Sequence, residues 1–533
     1  MDAYTKRKFY RALTRYNYFP NQKSNIGELP PLISTRQFTP EVCEALAALN
    51  ESNTRESSGY DVVTYNATRY NNAFRELSLI HPKAYALLAN HLHNHWDKIQ
   101  PFTTSESSII KPEEHEDGRI MVMNYEDPIE KTTRALTESF GRRFQVKADI
   151  SNCFNSIYSH AIAWGLVGFN HAKTNRQQDL WFNLVDKYQR KCKRNETQGI
   201  PIGSATSNIS LEIILGKIDK ELLEAGHHFH RYVDDYSCYC ETNESAHQFL
   251  LLLGSLLAKY KLSLNIQKTQ IIEQPAPDQD AWVLELLGNL PSRLNKSHED
   301  EPKLTASEAI TFINHAIIVN KQTPDGSVLK YAIQLIVNYL DEQAPVTVYR
   351  CVLNLSWHYP ILIPYIDGLI EKSNIKRGDI DNHLNALIIE NCKHRRSDGI
   401  CWPLYIMKKL EIAPAEKTID AIITSEDCVS LTILNSMLIG NKQIVDFANK
   451  VIKTGDNYYI DTYWLLLYQL FRDGDIKNAY GNIKTFDTLL NFDVNFIPGE
   501  TDTQAEQKCA SINAGFIFGP IKGFLDKIKE PGT

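Results

Sequence analysis

The feature that most constrains this chain is the pair Asp234-Asp235, which stands between two short stretches of strand-forming residues. Residues 227–233 and 236–240 are rich in aromatic and β-branched side chains, so they predict two strands joined by a tight turn. Such a turn holds two carboxylates at the end of a sheet, where their repulsion favours a divalent cation as partner. Acidic pairs are also common in surface turns, so the pair alone leaves a solvated turn open.

A third carboxylate precedes this turn in the chain. Residues 144–149 alternate in polarity like a strand and end at Asp149, and Phe154 follows five residues later. Taken singly, Asp149 is equally well explained as a strand-end cap and Phe154 as a core aromatic. Their order relative to the acidic turn makes them the expected companions of a metal site.

Two further segments complete the pattern. Residues 198–208 contain a Gly/Pro-rich loop that opens a helix, which ends before Gly226. One face of this helix carries Leu211, Leu215, Ile218 and Leu222. After the acidic turn, a helix over 251–260 leads to residues 262–269.

Four such segments in this order resemble the motifs of a polymerase palm, and the resemblance implies that fold here. Nucleotidyl transfer is an in-line displacement at phosphorus, and two Mg²⁺ or Mn²⁺ ions roughly 4 Å apart assist it by activating the attacking hydroxyl and stabilising the pyrophosphate. Carboxylates are the natural ligands of such hard ions. We therefore assign Asp149 and Asp234 as catalytic, bridging metal ligands and Asp235 as a weaker contributor to the same two-ion site.

The four segments resemble the palm motifs of reverse transcriptases, whereas residues 282–290 match a fifth motif poorly. The resemblance implies that the Ile150 carbonyl is an additional metal ligand. It also implies that the ring of Phe154 crowds the 2′ position of the sugar, so that deoxynucleoside triphosphates are the substrate and DNA is the product. A core phenylalanine beneath the sheet is the other interpretation of Phe154.

Further nucleotide contacts are expected around this centre. Gln198 and Gly199 can bring backbone close to the incoming nucleotide, because Gly permits close approach and an amide can hydrogen-bond sugar or phosphate. The resemblance implies that Lys268 helps to neutralise the pyrophosphate, with a solvated charge as the alternative. It also implies that Arg75, and more weakly Arg69, contacts the triphosphate from the fingers.

Composition agrees with this interpretation. A chain of 533 residues with 43% hydrophobic side chains can form two or three cores, and a net charge of −7 excludes a broad DNA-coating basic surface but permits a local groove. The scattered cysteines predict reduced thiols, and the start of the chain lacks the pattern of a signal peptide. No apolar run is long enough to span a membrane, so we expect a cytoplasmic protein with no membrane partner.

Helical patterns dominate the second half of the chain and suggest a repeat array loosely like HEAT repeats. They cover residues 310–319, 329–340, 346–357, 361–370, 383–392, 402–410, 419–423, 429–438, 444–452 and 463–471. The predicted fold class is therefore α+β. Reverse-transcriptase-type fingers and palm occupy 1–300, and an all-α helical-repeat domain over 301–533 replaces a conventional thumb.

The segment 149–164, the early residues 28–31 and the long helical half together resemble the bacterial abortive-infection polymerases, a class of defence-associated reverse transcriptases. Residues Cys153 and Asn155 and the weak fifth motif depart from that pattern. The resemblance implies template-independent, protein-primed synthesis that leaves single-stranded DNA covalently attached to a homo-oligomeric, bacterial cytoplasmic protein. It also implies a role against phage, with a phage component as trigger or target.

The priming residue is not fixed by the sequence. Protein priming requires a hydroxyl that reaches the metals, and four tyrosines in an N-terminus that we expect to be mobile are weak choices: Tyr4, Tyr10, Tyr16 and Tyr18. Two other functions stay open. One is a conventional RNA-templated reverse transcriptase of the retron or intron kind. The other is a non-catalytic, phage-sensing scaffold with a vestigial palm, which the intact carboxylates disfavour.

Overall fold

The computed structural model describes residues 3–498, except 24–25, 124–127, 292–293, 295–302, 325–326, 374, 376 and 482. Within these residues, six strands form two antiparallel sheets. The strands are β1 (Val62–Thr68), β2 (Phe74–Ile80), β3 (Phe144–Asp149), β4 (Phe229–Tyr232), β5 (Asp235–Cys240) and β6 (Gln270–Glu273).

The central sheet has the order β4-β5-β3-β6, so β3 lies between the acidic hairpin β4–β5 and the short strand β6. Its register pairs Phe144 with Cys240 at one end of β3 and Asp149 with Asp235 at the other. Val146 and Ala148 are buried on one face of β3 because alternate residues of a strand point to the same side. The predicted strands of the acidic hairpin and of residues 144–149 are confirmed.

Helices surround the two sheets in the first half of the chain. They span Ala3–Arg11 with a π-helical continuation over Ala12–Tyr16, Pro40–Ala48, Asn53–Ser58, Pro82–Asn94, Trp96–Ile99, Pro128–Ser139, Cys153–Ser156, His160–Val167, Phe169–Thr174, Trp181–Lys191, Ala205–Glu224, Asn243–Lys259 and Ala281–Gly288. The helix predicted before Gly226 is confirmed as Ala205–Glu224. It packs against His160–Val167 so closely that a Cβ on Gly165 would lie 2.8 Å from the Ile213 carbonyl oxygen.

The residues that the structure describes between 303 and 498 are mostly helical, as predicted. Their α-helices span Ala306–Gln322, Val328–Ile336, Ala344–His358, Pro364–Glu371, Arg377–Lys393, Ser397–Lys409, Glu416–Ser425, Cys428–Met437, Lys442–Lys453, Asn457–Asp461, Trp464–Asp473 and Thr485–Asn491. Two of these, Asn457–Asp461 and Thr485–Asn491, were not predicted. Val328–Ile336 ends four residues before the predicted 340.

The helical region packs against the β1–β2 hairpin. The indole nitrogen of Trp464 donates to the Leu79 carbonyl oxygen at 3.1 Å, and Asp398 accepts a hydrogen bond from the Thr68 amide at 2.9 Å. Arg55 forms a fully buried ion pair with Asp461 at 2.7 and 2.9 Å. The two halves therefore share one hydrophobic core. The division predicted near residue 300 falls outside the described residues.

The N-terminal segment is packed, so the prediction of a mobile N-terminus is wrong. Tyr10 and Tyr18 are fully buried, and the hydroxyl of Tyr18 donates to the Ile80 carbonyl oxygen at 2.6 Å. These two hydroxyls are held inside the core. Tyr16 is half-buried beneath the guanidinium of Arg36, and Tyr4 is exposed on the first helix.

The nine cysteines that lie within the described residues are free thiols, including Cys238 and Cys240, whose sulfur atoms are 3.8 Å apart on β5. No helix in the described part of the chain is both long enough and apolar enough to cross a membrane.

Candidate active site

The acidic pair lies at the tip of the β4–β5 hairpin. Tyr232 pairs with Asp235, which leaves Val233 and Asp234 as the two turn residues. Val233 has φ +57°, in the left-handed region that costs an L residue roughly 1–2 kcal/mol and is unusual for a β-branched side chain. The turn thus directs Asp234 out of the sheet, while Asp235 begins β5.

The third carboxylate arrives from the neighbouring strand. Asp149 is the last residue of β3 and pairs directly with Asp235. One carboxylate oxygen from each of Asp149, Asp234 and Asp235 lies within 4.8 Å of the others. Asp149 is buried, Asp234 half-buried and Asp235 exposed, so the cluster opens to solvent on one side. The structure brings together the three residues that the sequence assigned as metal ligands.

Electrostatics in this cluster favour a bound cation. Loss of solvent around the carboxylates, together with the charges of Asp234 and Asp149, raises the pKa of Asp235 to about 7. Burial and the charge of Asp149 likewise raise the pKa of Asp234, against the opposing positive charges of Arg75 and Lys268. Two neighbouring carboxyl groups with raised pKa values, Asp234 and Asp235, together with the carboxylate of Asp149, form a donor set suited to a hard divalent ion such as Mg²⁺ or Mn²⁺.

The Ile150 carbonyl, predicted as a further ligand, lies just beyond β3. Ile150 forms an isolated antiparallel bridge with Leu264. The hydrogen bonds of that bridge run from the Ser151 amide to Ser263 and from the Asn265 amide to the Asp149 carbonyl oxygen. Neither of these two hydrogen bonds uses the Ile150 carbonyl oxygen.

The segment after helix Asn243–Lys259 reaches the same carboxylates. Asn265 donates from its side-chain amide to Asp149 Oδ2 at 2.8 Å, and Lys268 Nζ lies 3.3 Å from the same oxygen. Burial opposes protonation of Lys268, but the charges of Asp149, Asp235 and Asp234 raise its pKa. Lys268 therefore lies beside the carboxylate cluster as a cation. Asn265, which lies in the same motif, was missed because an amide on a loop has many other uses.

Phe154 and the loop at Gln198 lie next to the end of β3. Phe154, on the short helix Cys153–Ser156, is only 8% exposed and belongs to the core, so its role at the sugar stays a prediction. Gln198 is exposed, and its side chain donates to the carbonyl oxygens of Asn155 and Ser156 at 3.2 and 3.1 Å. Gly199 has φ +78°, and a Cβ there would lie 3.1 Å from the Asn155 carbonyl oxygen.

The predicted fingers contacts sit on the β1–β2 hairpin, which the sequence did not predict. Arg75 is half-buried on β2, opposite Ala67 on β1. Its positive charge opposes the rise in the pKa of Asp234, so it lies within electrostatic reach of the metal cluster. Arg69 is exposed at the hairpin turn, where its amide bonds to the Ala73 carbonyl oxygen.

A buried ion cluster beneath the hairpin escaped the sequence analysis. Arg231, on β4, is fully buried and binds Glu212 through both terminal nitrogens at 2.8 and 2.9 Å. It also binds Asp219 at 2.8 Å and donates to the Val233 carbonyl oxygen at 2.6 Å. Burial raises the pKa of Glu212, and the negative charge of Asp219 raises it further. The positive charge of Arg231 lowers this pKa but does not cancel the rise. The turn that carries Asp234 is thus bonded directly to this cluster.

Comparison with known proteins identifies the region around this site. Residues 76–304 match the family model described as reverse transcriptase (RNA-dependent DNA polymerase). A search of curated proteins found no match.

Several solved telomerase structures show a loose likeness. A truncated apo telomerase from Candida tropicalis is 14% identical with a TM-score of 0.28, over 45% of this chain and 57% of that one. Telomerase from Candida albicans with a TWJ fragment of telomeric RNA is 12% identical with a TM-score of 0.26, over 67% and 66%. The corresponding Candida tropicalis complex is 13% identical with a TM-score of 0.31, over 75% and 68%. This chain thus spans between 57% and 68% of these three proteins.

The sequence match includes β3, the acidic hairpin and the loop at Gln198, so the family assignment and the carboxylate cluster concern the same part of the chain. Residues 76–304 are therefore similar in sequence to the reverse transcriptase (RNA-dependent DNA polymerase) family.

Proposed function

We propose that this protein is a divalent-metal-dependent DNA polymerase that adds deoxynucleotides to a hydroxyl end. The observation that carries the proposal is the convergence of Asp149, Asp234 and Asp235, whose carboxylate oxygens lie within 4.8 Å of one another inside a reverse-transcriptase domain. Asp149 and Asp234 would hold two Mg²⁺ or Mn²⁺ ions, with Asp235 as a weaker contributor. When bound, such ions activate the attacking hydroxyl and stabilise the leaving pyrophosphate.

The surrounding residues bind and orient the nucleotide in this proposal. Arg75 contacts the triphosphate from the fingers side, and Lys268 neutralises charge on the pyrophosphate. Gly199 lets the loop backbone approach the nucleotide closely in this proposal, and the same residue packs against Asn155, where a Cβ would lie 3.1 Å from the carbonyl oxygen. Phe154 crowds the 2′ position of the sugar and selects deoxynucleotides.

The more specific proposal is template-independent synthesis that starts on a side-chain hydroxyl of the protein and serves defence against phage. It is supported by the resemblance of residues 149–164 and of the helical half to abortive-infection polymerases. The contacts of Trp464 and Asp398 with the β1–β2 hairpin also support it, because they seat the helical region on the fingers rather than leaving a separate thumb. Tyr4, exposed on the first helix, is the most exposed of the four tyrosines proposed for priming. The same resemblance supports a homo-oligomer and a phage component as partner.

A second candidate function is conventional copying of RNA. The matched family is described as an RNA-dependent DNA polymerase, and the palm residues proposed above are the same in both functions. The two functions differ in whether a template and a separate primer are required. That requirement is therefore what an experiment must test.

The test is incubation of purified, nuclease-treated protein with Mg²⁺ or Mn²⁺ and each labelled deoxynucleotide, without template or primer. Denaturing gels are run before and after protease treatment. Label that migrates with the protein until protease releases it supports protein-primed, template-free synthesis. Label that appears only after an RNA template and primer are added supports RNA copying. No incorporation under either condition contradicts the polymerase and favours the scaffold.

Asp234→Asn is the control for the chemistry. We expect it to fold like the wild type and to incorporate no label, because the side chain keeps its shape but loses a charged metal ligand. Substantial activity in this variant would contradict the assignment of Asp234.

A further inference from the structure

Arg231 uses every hydrogen-bond donor of its guanidinium. Nε is shared between the two carboxylate oxygens of Asp219 at 3.2 Å. Nη1 donates to Glu212 and to the Val233 carbonyl oxygen, and Nη2 donates to Glu212 and Asp219. An arginine has five N–H donors in a fixed plane, so this set of partners fixes the orientation of the side chain.

These partners belong to two different elements. Glu212 and Asp219 are seven residues apart on helix Ala205–Glu224, so they share one face of a buried helix. Val233 belongs to the turn that carries Asp234. Tyr236, which follows the turn on β5, donates its hydroxyl to Asp219 at 3.1 Å. Arg231, before the turn, and Tyr236, after it, thus both bond the β4–β5 hairpin to helix Ala205–Glu224.

The backbone of Arg231 is held as firmly as its side chain. Its amide donates to the Ser107 carbonyl oxygen at 2.7 Å, and its carbonyl oxygen accepts from the Ile109 amide at 2.9 Å. Residues 107–109 therefore cover the outer edge of β4. Because both its backbone and its side chain are held, the guanidinium of Arg231 can hold the turn in one orientation.

The bond to Val233 acts on the peptide unit that leads into Asp234. Val233 keeps a positive φ despite its branched side chain, so its conformation needs support from the surroundings. The Val233 carbonyl oxygen and the Asp234 amide belong to one rigid peptide plane. Rotation of that plane would turn the Asp234 carboxylate away from Asp149.

We propose that Arg231 is a positioning residue for nucleotidyl transfer, which holds the Val233–Asp234 peptide in the orientation that directs the Asp234 carboxylate at Asp149. Arg231 touches neither substrate nor metal and acts through the turn. The inference rests on the proposed metal-dependent polymerase function, because it assigns a role to the support of that same site.

The test compares Arg231→Lys with Arg55→Lys. Both arginines are fully buried and bind an aspartate, but Arg55 pairs with Asp461 away from the hairpin. Lysine keeps the charge and loses the planar fork. For folded Arg231→Lys, we expect the Mg²⁺ concentration at half-maximal incorporation to rise about 10- to 100-fold, as for other residues that support metal ligands. We expect the nucleotide KM to stay unchanged, and Arg55→Lys to leave the Mg²⁺ requirement at the wild-type value.

A purely structural role gives a different result. If Arg231→Lys lowers only the yield of active protein, with the Mg²⁺ requirement unchanged as in Arg55→Lys, the proposal is overturned. If Arg231→Lys does not fold, Asp219→Asn decides. That variant leaves Arg231 paired with Glu212, and a raised Mg²⁺ requirement supports the proposal while an unchanged one contradicts it.

Failure of the proposed function can be told apart from failure of this inference. Titration of Mn²⁺ into the same variants by calorimetry measures metal binding without turnover. If the wild type binds Mn²⁺ but incorporates no nucleotide, the polymerase function is wrong. The Mn²⁺ affinity of Arg231→Lys relative to the wild type still decides whether Arg231 positions the metal site, because weaker binding supports that role and equal binding excludes it.

Discussion

The ammonium of Lys268 lies 3.3 Å from Oδ2 of Asp149, the same oxygen that accepts a hydrogen bond from the side chain of Asn265. Asp149 is buried at the end of β3, whereas the Lys268 side chain is 67% exposed. A fixed carboxylate and a solvent-exposed cation are thereby in contact at the edge of the candidate metal site. The ammonium group is therefore accessible from solvent.

Replacement of this cation should slow the reaction without unfolding the protein. We expect Lys268→Met to lower kcat by about 100-fold, the usual effect of removing one group that stabilises charge in a transition state. Lys220→Met is the matched control, because Lys220 is 66% exposed and lies on helix Ala205–Glu224. Single-turnover incorporation measures both variants. A Lys268→Met rate equal to that of Lys220→Met would remove Lys268 from the chemistry.

Metal binding should stabilise the protein, and more so at high pH. The pKa of Asp235 is raised to about 7 and that of Asp234 is also raised, so their carboxyl groups are more easily protonated folded than unfolded. Without metal, the folded state is stabilised when these two carboxyl groups are protonated. This stabilisation is fully present below about pH 4, and it is lost as the pH rises to about 7 and the groups ionise. A divalent ion offsets the repulsion of the ionised carboxylates.

We therefore expect Mg²⁺ to raise Tm more at pH 8 than at pH 5. The gain corresponds to about 2.7 kcal/mol when Mg²⁺ is at 100 times its dissociation constant. Differential scanning fluorimetry at both pH values measures the shift, and Asp234→Asn should show a smaller one. Equal Mg²⁺ shifts at the two pH values would mean that the ion does not bind these carboxylates.

Phe154 allows its two interpretations to be separated. If its ring meets the sugar, Phe154→Ala should raise the ratio of ribonucleotide to deoxynucleotide kcat/KM, because the 2′ hydroxyl gains room. Phe182→Ala is the control, since Phe182 is also buried, on helix Trp181–Lys191. Both variants are expected to lose about 3–5 kcal/mol of stability. If the ratio is the same in both, Phe154 is a core residue and nothing more.

Gly199 should be sensitive to a single methyl group. Gly199→Ala and Gly226→Ala both place alanine at positive φ, which costs roughly 1–2 kcal/mol in each. The alanine methyl at 199 would also press on Asn155 at 3.1 Å, whereas nothing lies within 4 Å at 226. We expect a raised nucleotide KM only in Gly199→Ala. Steady-state incorporation measures it, and matching KM values would show that the loop does not contact the nucleotide.

The ion pair between the two halves of the chain should be essential for stability. Asp461 accepts bonds from Arg55, from the Tyr480 hydroxyl at 2.7 Å and from the Asp61 amide at 3.0 Å. Asp461→Asn leaves the buried guanidinium without its counter-charge and should cost about 3–5 kcal/mol. Glu221→Gln is the control, because Glu221 pairs with the exposed Lys259 near the surface. We expect this variant to lose less than about 1 kcal/mol of the free energy of unfolding. Urea denaturation measures the difference, and equal midpoints would contradict the role of Asp461.

The sequence predicted the parts of the site that are encoded locally. The acidic hairpin, the strand ending at Asp149 and the helix Ala205–Glu224 each have a clear periodicity and turn residues within a few positions. Lys268 was found because its motif follows the hairpin in order.

The parts that were missed depend on contacts across the fold. Arg231 stands 19 residues from Glu212, and Arg55 stands 406 residues from Asp461. Charged residues are rarely buried, so they are expected at the surface unless a residue of opposite charge is known to lie beside them in the fold. Tyr10 and Tyr18 were assigned to a mobile segment because the positions that bury them, around Ile80 and Asn90, are remote in the chain.

The attachment of the β1–β2 hairpin to the helical region has a mechanical consequence. The side chain of Trp464 bonds to Leu79 on β2, the strand that carries Arg75, and the side chain of Asp398 bonds to Thr68 on β1, so both strands of the hairpin are connected to the helices by hydrogen bonds. A displacement of these helices would therefore also move the hairpin and, with it, Arg75.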